Sequence, residues 1–129
     1  MLYLDSSAIV KLVVPEPWSA PLVEEVASDP DVVSSEIALT EVVRAVGRAK
    51  GSIGRAERIV RSIALVPIDR PILAEAAAMR PWSLRSLDAI HLASALSLHP
   101  DVDAFIGYDA RLLDAAASAG LIARSPGAS

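Results

Sequence analysis

Apolar residues fall alternately into short continuous runs and longer stretches at helical spacing. The run at 2–4 ends at Asp5. Ser6 and Ser7 follow, then Ala8-Ile9-Val10-Lys11-Leu12-Val13-Val14, which predicts a strand, a carboxylate at its end, and a helix opened by serine. Pro15 and Pro17 close that helix, and 18–27 predicts a second with Leu22, Val23 and Val26 on its apolar face. A turn-bounded run at 31–34 predicts a strand. Over 35–50, Ile37, Ala38, Leu39, Val42, Val43 and Val46 recur at helical spacing up to Gly51. Beyond it come a basic amphipathic helix over 53–64, a strand over 65–68, an alanine-rich helix over 70–79 stopped by Pro81, and a helix over 86–98. The run 103–107 predicts a strand that delivers Asp109 to a helix ending at Gly120; 121–123 predicts an edge strand, and 124–129 a frayed tail.

Strands separated by helices need right-handed crossovers and a parallel sheet, so the pattern predicts a single α/β domain over 1–129 with three layers. Functional groups in such sheets collect beyond the carboxyl ends of the strands, where Asp5 and Asp109 would both lie.

Composition narrows the chemistry. An apolar content of 53% suffices for a core, but no apolar run approaches the roughly 20 residues that span a bilayer. The start, MLYLDSS, lacks a basic leader segment, and a cytoplasmic location is expected. The absence of cysteine excludes disulfides, thiolate catalysis and zinc–thiolate sites, so any metal must be held by oxygen or histidine. Net charge is −4, yet Arg44, Arg48, Lys50, Arg55, Arg58 and Arg61 face one acid, Glu57, within 44–61. That stripe is either a solvated pair of helix faces or a surface that tracks phosphates, with Arg44, Arg48, Arg55 and Arg58 as the candidate phosphate contacts.

Four acids stand out. Asp5 and Asp109 sit where helix caps sit, and capping is compatible with a second role. Glu41 and Asp88 interrupt apolar helix stretches, Leu39-Thr40-Glu41-Val42-Val43 and Leu87-Asp88-Ala89-Ile90, where an unpaired buried carboxylate costs several kcal/mol. Either faces water or an i,i+3 partner, Arg44 or His91, or the acids meet around a cation. Oxygen-only ligation suits Mg²⁺ or Mn²⁺, ions that bridge carboxylates to phosphate and so point to phosphodiester chemistry.

Tyr3-Leu4-Asp5-Ser6-Ser7-Ala8, Thr40-Glu41-Val42, Leu87-Asp88-Ala89-Ile90-His91 and Phe105-Ile106-Gly107-Tyr108-Asp109, in that order, resemble the PIN domain, in particular its VapC branch of ribonuclease toxins from type II toxin–antitoxin systems. The resemblance covers 2 to about 122. It implies a parallel sheet of order 3-2-1-4-5, Mg²⁺-dependent RNA cleavage, a cognate VapB-like antitoxin, and a homodimer or a hetero-oligomer with it. Asp5 and Asp88 match the family's principal metal-binding acids, Glu41 its second-helix acid and Asp109 the acid after its fourth strand. Ser7 is in place to hold the Asp5 carboxylate by hydrogen bonding or to cap the helix. One position departs: the family commonly has threonine or serine where this chain has Gly107.

The remaining candidates read as structural. His91, one turn after Asp88, suits a satisfied helical histidine better than a ligand, and His99 a helix end. Trp18 and Trp82 lie beside prolines and suit core edges or a dimer contact better than base stacking, given 4% aromatic content. A receiver-type phosphoacceptor would need a lysine after its fifth strand, and no lysine follows Lys50; a haloacid dehalogenase would need DxDxT, which Asp5-Ser6-Ser7 lacks. An RNA-processing nuclease without antitoxin and an inert PIN-like interaction module are the alternatives.

Overall fold

The computed structural model describes residues 1–128; Ser129, the end of the expected tail, lies outside the described residues. Strands β1 (Leu2–Leu4), β2 (Val32–Ser35), β3 (Ala64–Val66), β4 (Ala104–Ile106) and β5 (Ala123–Arg124) form a sheet of order β3-β2-β1-β4-β5, with every pair parallel. The helices are α1 (Ser6–Val13), α2 (Ser19–Ala27), α3 (Ala38–Arg48), α4 (Ile53–Arg61), α5 (Arg70–Ala78), α6 (Ser86–Leu96) and α7 (Ala110–Ser118). The expected α/β architecture and strand order are those observed.

Side chains alternate across the central strands and divide the core. Leu2, Leu4, Ala104 and Ile106 pack with Ile9, Val42, Val46 and Val60 from α1, α3 and α4. On the opposite face Tyr3 and Phe105 stack at 5.2 Å and meet Leu92 and Leu112 from α6 and α7. Because both faces are covered, the strands read as continuous apolar runs rather than as alternation.

Boundaries move where tertiary pairing overrides local signals. Ser34 pairs with Leu65 as its predicted strand requires, but Ser35, read as the first residue of the 35–50 helix, pairs with Val66 in the sheet, and α3 starts at Ala38. The Ser34 hydroxyl donates to the Leu4 carbonyl at 2.6 Å, joining the neighbouring strand. Ala64, read as the last helical residue of 53–64, opens β3. Gly120, at φ +98°, closes α7, with the Leu121 amide bonded to the Ala116 carbonyl. This sends Leu121 into the core and places the last strand at Ala123–Arg124. The segment expected to fray is held as far as it is described: Arg124 pairs with Glu25 at 2.7 Å, and the Pro126 carbonyl accepts from the Tyr108 hydroxyl at 2.9 Å.

Candidate active site

Leu4 is in register with Ile106, so β1 and β4 end together and Asp5 and Gly107 become neighbours one residue beyond. Asp5 is 3% exposed. Its Oδ1 accepts from the Ser7 hydroxyl at 2.6 Å and from the Ala8 amide at 3.0 Å, the latter capping α1. Ser7 in turn accepts from the Tyr108 amide at 3.0 Å, tying the turn after β1 to the turn after β4. Burial pushes the Asp5 carboxyl up, against the positive pull of His91 and these hydrogen bonds, and the charge of Glu41 adds to the rise.

Gly107 has an ordinary negative φ, so conformation does not demand glycine here. Proximity does. A Cβ at 107 would lie against Asp5 Oδ2 and 2.7 Å from its Cγ. The Asp5 carboxylate therefore occupies the space that a side chain at 107 would fill.

Asp88 projects from the first turn of α6 and is half-buried. Among the described residues its carboxylate has neither a hydrogen bond nor an ion pair. Burial raises its pKa, and the charges of Asp109, Asp5 and Glu41 raise it further. Asp109 caps α7, its Oδ1 accepting from the Arg111 and Leu112 amides at 2.9 and 3.4 Å. The charges of Asp109, Asp5 and Glu41 thus act on Asp88 beyond the carboxyl ends of β1 and β4, and the helix-cap reading of Asp5 and Asp109 holds as well.

Glu41 differs, because it has partners. Its Oε1 accepts from the Ser6 hydroxyl at 2.7 Å and lies 2.8 Å from His91 Nε2. The opposite ring nitrogen, Nδ1, lies 2.8 Å from the Tyr3 hydroxyl. A carboxylate accepts only, so Nε2 carries hydrogen, and in the neutral ring Nδ1 then accepts from Tyr3. Burial keeps the Tyr3 phenol protonated by pushing its pKa well up. The result is a chain of donors from Tyr3 through His91 to Glu41. Burial alone would raise the Glu41 carboxyl; the hydrogen bonds from His91 and Ser6 lower it below its ordinary value. The sequence reading offered Asp88 as the acid paired with His91, whereas its bond reaches Glu41, and it gave Tyr3 and Ser6 no part in this chain. A signal existed: a tyrosine in an apolar strand and a histidine in an apolar helix both need buried partners.

The basic stripe divides. Arg44 and Arg48 line a depression of about 320 Å³ between α1 and α3 that also contains Ser6, Ser7, Glu41 and Leu87. Arg55 is turned elsewhere: its guanidinium donates to the Val13 and Leu12 carbonyls at 3.3 and 3.2 Å, capping the carboxyl end of α1. Arg58 lies beside Gly54 on α4. On the other flank, Arg85 and Arg111 share a depression of about 160 Å³ with Asp88 and Asp109, and neither was singled out in the sequence.

The donor set suits a hard cation, being oxygen-rich, with mutual repulsion at Asp88 for a cation to relieve. Among the described residues no three acids or histidines already surround a common point. That is compatible with Mg²⁺, which keeps several waters and takes one or two carboxylates.

Residues 2–117 match the family model described as "PIN domain". The chain belongs to the PIN-domain family. Two Mycobacterium tuberculosis PIN proteins place it further: Ribonuclease VapC46 is 41% identical, the match covering 97% of each chain, and Ribonuclease VapC47 is 34% identical over 99% of this chain and 98% of its own. The PIN chain therefore groups with the VapC ribonucleases. In fold it is similar to the crystal structure of M. tuberculosis VapC20, described as a sarcin-ricin loop cleaving toxin, with a TM-score of 0.76 at 15% identity, covering 98% of this chain and all of that one.

Proposed function

We propose that this protein is a metal-dependent endoribonuclease, the toxin of a type II toxin–antitoxin pair, hydrolysing RNA phosphodiesters at Asp5, Glu41, Asp88 and Asp109. The observation that carries the reading is the Asp88 carboxylate, without a hydrogen bond or ion pair among the described residues, which shares a depression with Asp109 and is acted on by the charges of Asp5 and Glu41. Such repulsion is relieved by a retained proton or by a cation, and a divalent cation suits phosphodiester hydrolysis. Asp5, Glu41, Asp88 and Asp109 would hold Mg²⁺ or Mn²⁺, with the Glu41 carboxylate oriented by Ser6 and His91. When bound, the ion supplies Lewis acidity and lowers the pKa of its water. The chain's own part is orientation: Ser7 and the Ala8 amide fix one oxygen of Asp5, and the His91 bond keeps Glu41 ionised. Arg44 and Arg48 border the site on the α3 side and would steady RNA phosphates, whereas Arg55 has its guanidinium on α1.

A cognate VapB-like antitoxin is part of this reading. An arginine inserted by such a partner would pair bidentately with the acids and compete with the metal. The depression between α1 and α3 is one place where an inhibitory segment could lie. The test is RNA cleavage by the purified chain across Mg²⁺ concentrations, with and without EDTA and then with the co-encoded partner. Undiminished cleavage in EDTA overturns the metal mechanism. Cleavage unaffected by any co-encoded protein overturns the toxin assignment and leaves a processing nuclease.

A further inference from the structure

The loop before α6 carries a second surface that the acids do not explain. Trp82 is 69% exposed, the most open of the large apolar side chains, so it is no core edge. It is nevertheless held: the Arg80 guanidinium lies 3.5 Å from its ring centroid. A cation over one face of an indole orients the ring and leaves the other face free. Toward the acids, Arg85 and Arg111 border the depression with Asp88 and Asp109, and among the described residues neither guanidinium has an ion pair or a side-chain hydrogen bond. A second depression of about 420 Å³ shares Ser83, Leu84 and Arg111 with the first and extends to Arg80. The surface therefore runs continuously from the acids, past free guanidiniums, to the loop that carries the indole.

We infer that Trp82 is a stacking platform for a base of single-stranded RNA flanking the scissile phosphate, with Arg85 and Arg111 holding the adjoining phosphates; this rests on the ribonuclease reading above. Charge favours RNA over a protein partner. Arg80 lies over the indole, and the Arg85 and Arg111 guanidiniums, without ion pairs among the described residues, outnumber the one further acid along the way, Asp114, and suit phosphate groups that must approach the acids. A base offers a π-face whatever its identity, so one aromatic suffices where the backbone is held by charge. Low overall aromatic content is thus no obstacle to a single stacked base.

The experiment uses the full chain, a short fluorescein-labelled single-stranded RNA of mixed sequence, and EDTA to prevent cleavage, with anisotropy read over a range of KCl. Trp82→Ala should weaken binding roughly tenfold, and Trp82→Phe should retain most of it. Neither should alter the salt slope. Arg85→Gln with Arg111→Gln should instead flatten that slope by about 0.7 for each phosphate no longer neutralised. Circular dichroism controls for folding, and truncating so exposed a side chain removes little packing. Trp82→Ala binding within about twofold of a parent that binds and cleaves RNA overturns this inference alone. Sedimentation showing that Trp82→Ala dissolves a dimer while RNA binding is unchanged overturns it too, since Trp82 is then a contact between copies. A parent that neither binds nor cleaves RNA overturns the ribonuclease reading together with the inference.

Discussion

The Asp5 carboxylate stands in the place a side chain at Gly107 would take, 2.7 Å from Cγ to the ideal Cβ position. The two strand ends are too close for both. Gly107→Ala should therefore destabilise the protein by about 1 to 3 kcal/mol, as overpacking does, or displace Asp5. Gly107→Ser should lower RNA cleavage by roughly tenfold or more through the same displacement, because small misplacements of a reacting group are costly. Thermal denaturation and cleavage rates, measured together, separate the two outcomes; wild-type values in both would show that the turn yields freely.

Asp5→Asn and Asp88→Asn should each lower cleavage by about a thousandfold, since a bound metal contributes several kcal/mol to the transition state. Cleavage of a defined RNA at saturating Mg²⁺ checks this. Retention of a tenth of wild-type activity by either variant would remove that residue from the site.

The metal-free protein should lose stability as pH rises through the Asp5 and Asp88 titrations. Both carboxyls are raised in the folded state, so between the unfolded and folded pKa values the folded chain binds more protons, and stability falls with rising pH. Without divalent ions, Asp88→Asn should therefore raise Tm at pH 7.5 and leave it nearly unchanged near pH 4. Mg²⁺ should raise the wild-type Tm more at pH 7.5 than at pH 5. Scanning calorimetry at these pH values decides it, and a metal response independent of pH would contradict the argument.

Tyr3→Phe removes a donor to the His91 ring without changing shape. A buried acceptor left unpaired costs about 1 to 3 kcal/mol. The same variant should lower cleavage by a smaller factor than Asp5→Asn, because it loosens His91 and, through it, Glu41. Urea denaturation and kinetics on one preparation test the pair of effects; unchanged stability would mean that the Nδ1 bond contributes nothing net.

Arg44→Ala with Arg48→Ala should weaken RNA binding and flatten its salt dependence, since both side chains border the acid site. Arg55→Ala should leave the salt slope unchanged and instead cost about 1 kcal/mol by uncapping α1. An equal loss of salt dependence in both variants would restore the stripe as one surface.

Hydrophobic patterning alone determined the order of strands and helices, because short continuous apolar runs, the 3.6 period and the stops at Pro81 and Gly120 are local properties. It also exposed the four acids, since a carboxylate amid apolar neighbours is conspicuous in one dimension. Local signals failed where pairing across the sheet competed with them: Ser35 reads as part of the following helix but pairs with Val66, and Ala64 looks helical but pairs with Val33. What the tertiary structure alone decided is who meets whom. Tyr3 and His91, 88 positions apart, share a hydrogen bond because β1 lies beneath α6. Arg44 and Arg55, similar in sequence, part ways because only the second lies over the carboxyl end of α1. Gly107 is needed for a neighbour on another strand rather than for its own backbone, a constraint set by the register of β1 against β4, which long-range packing establishes.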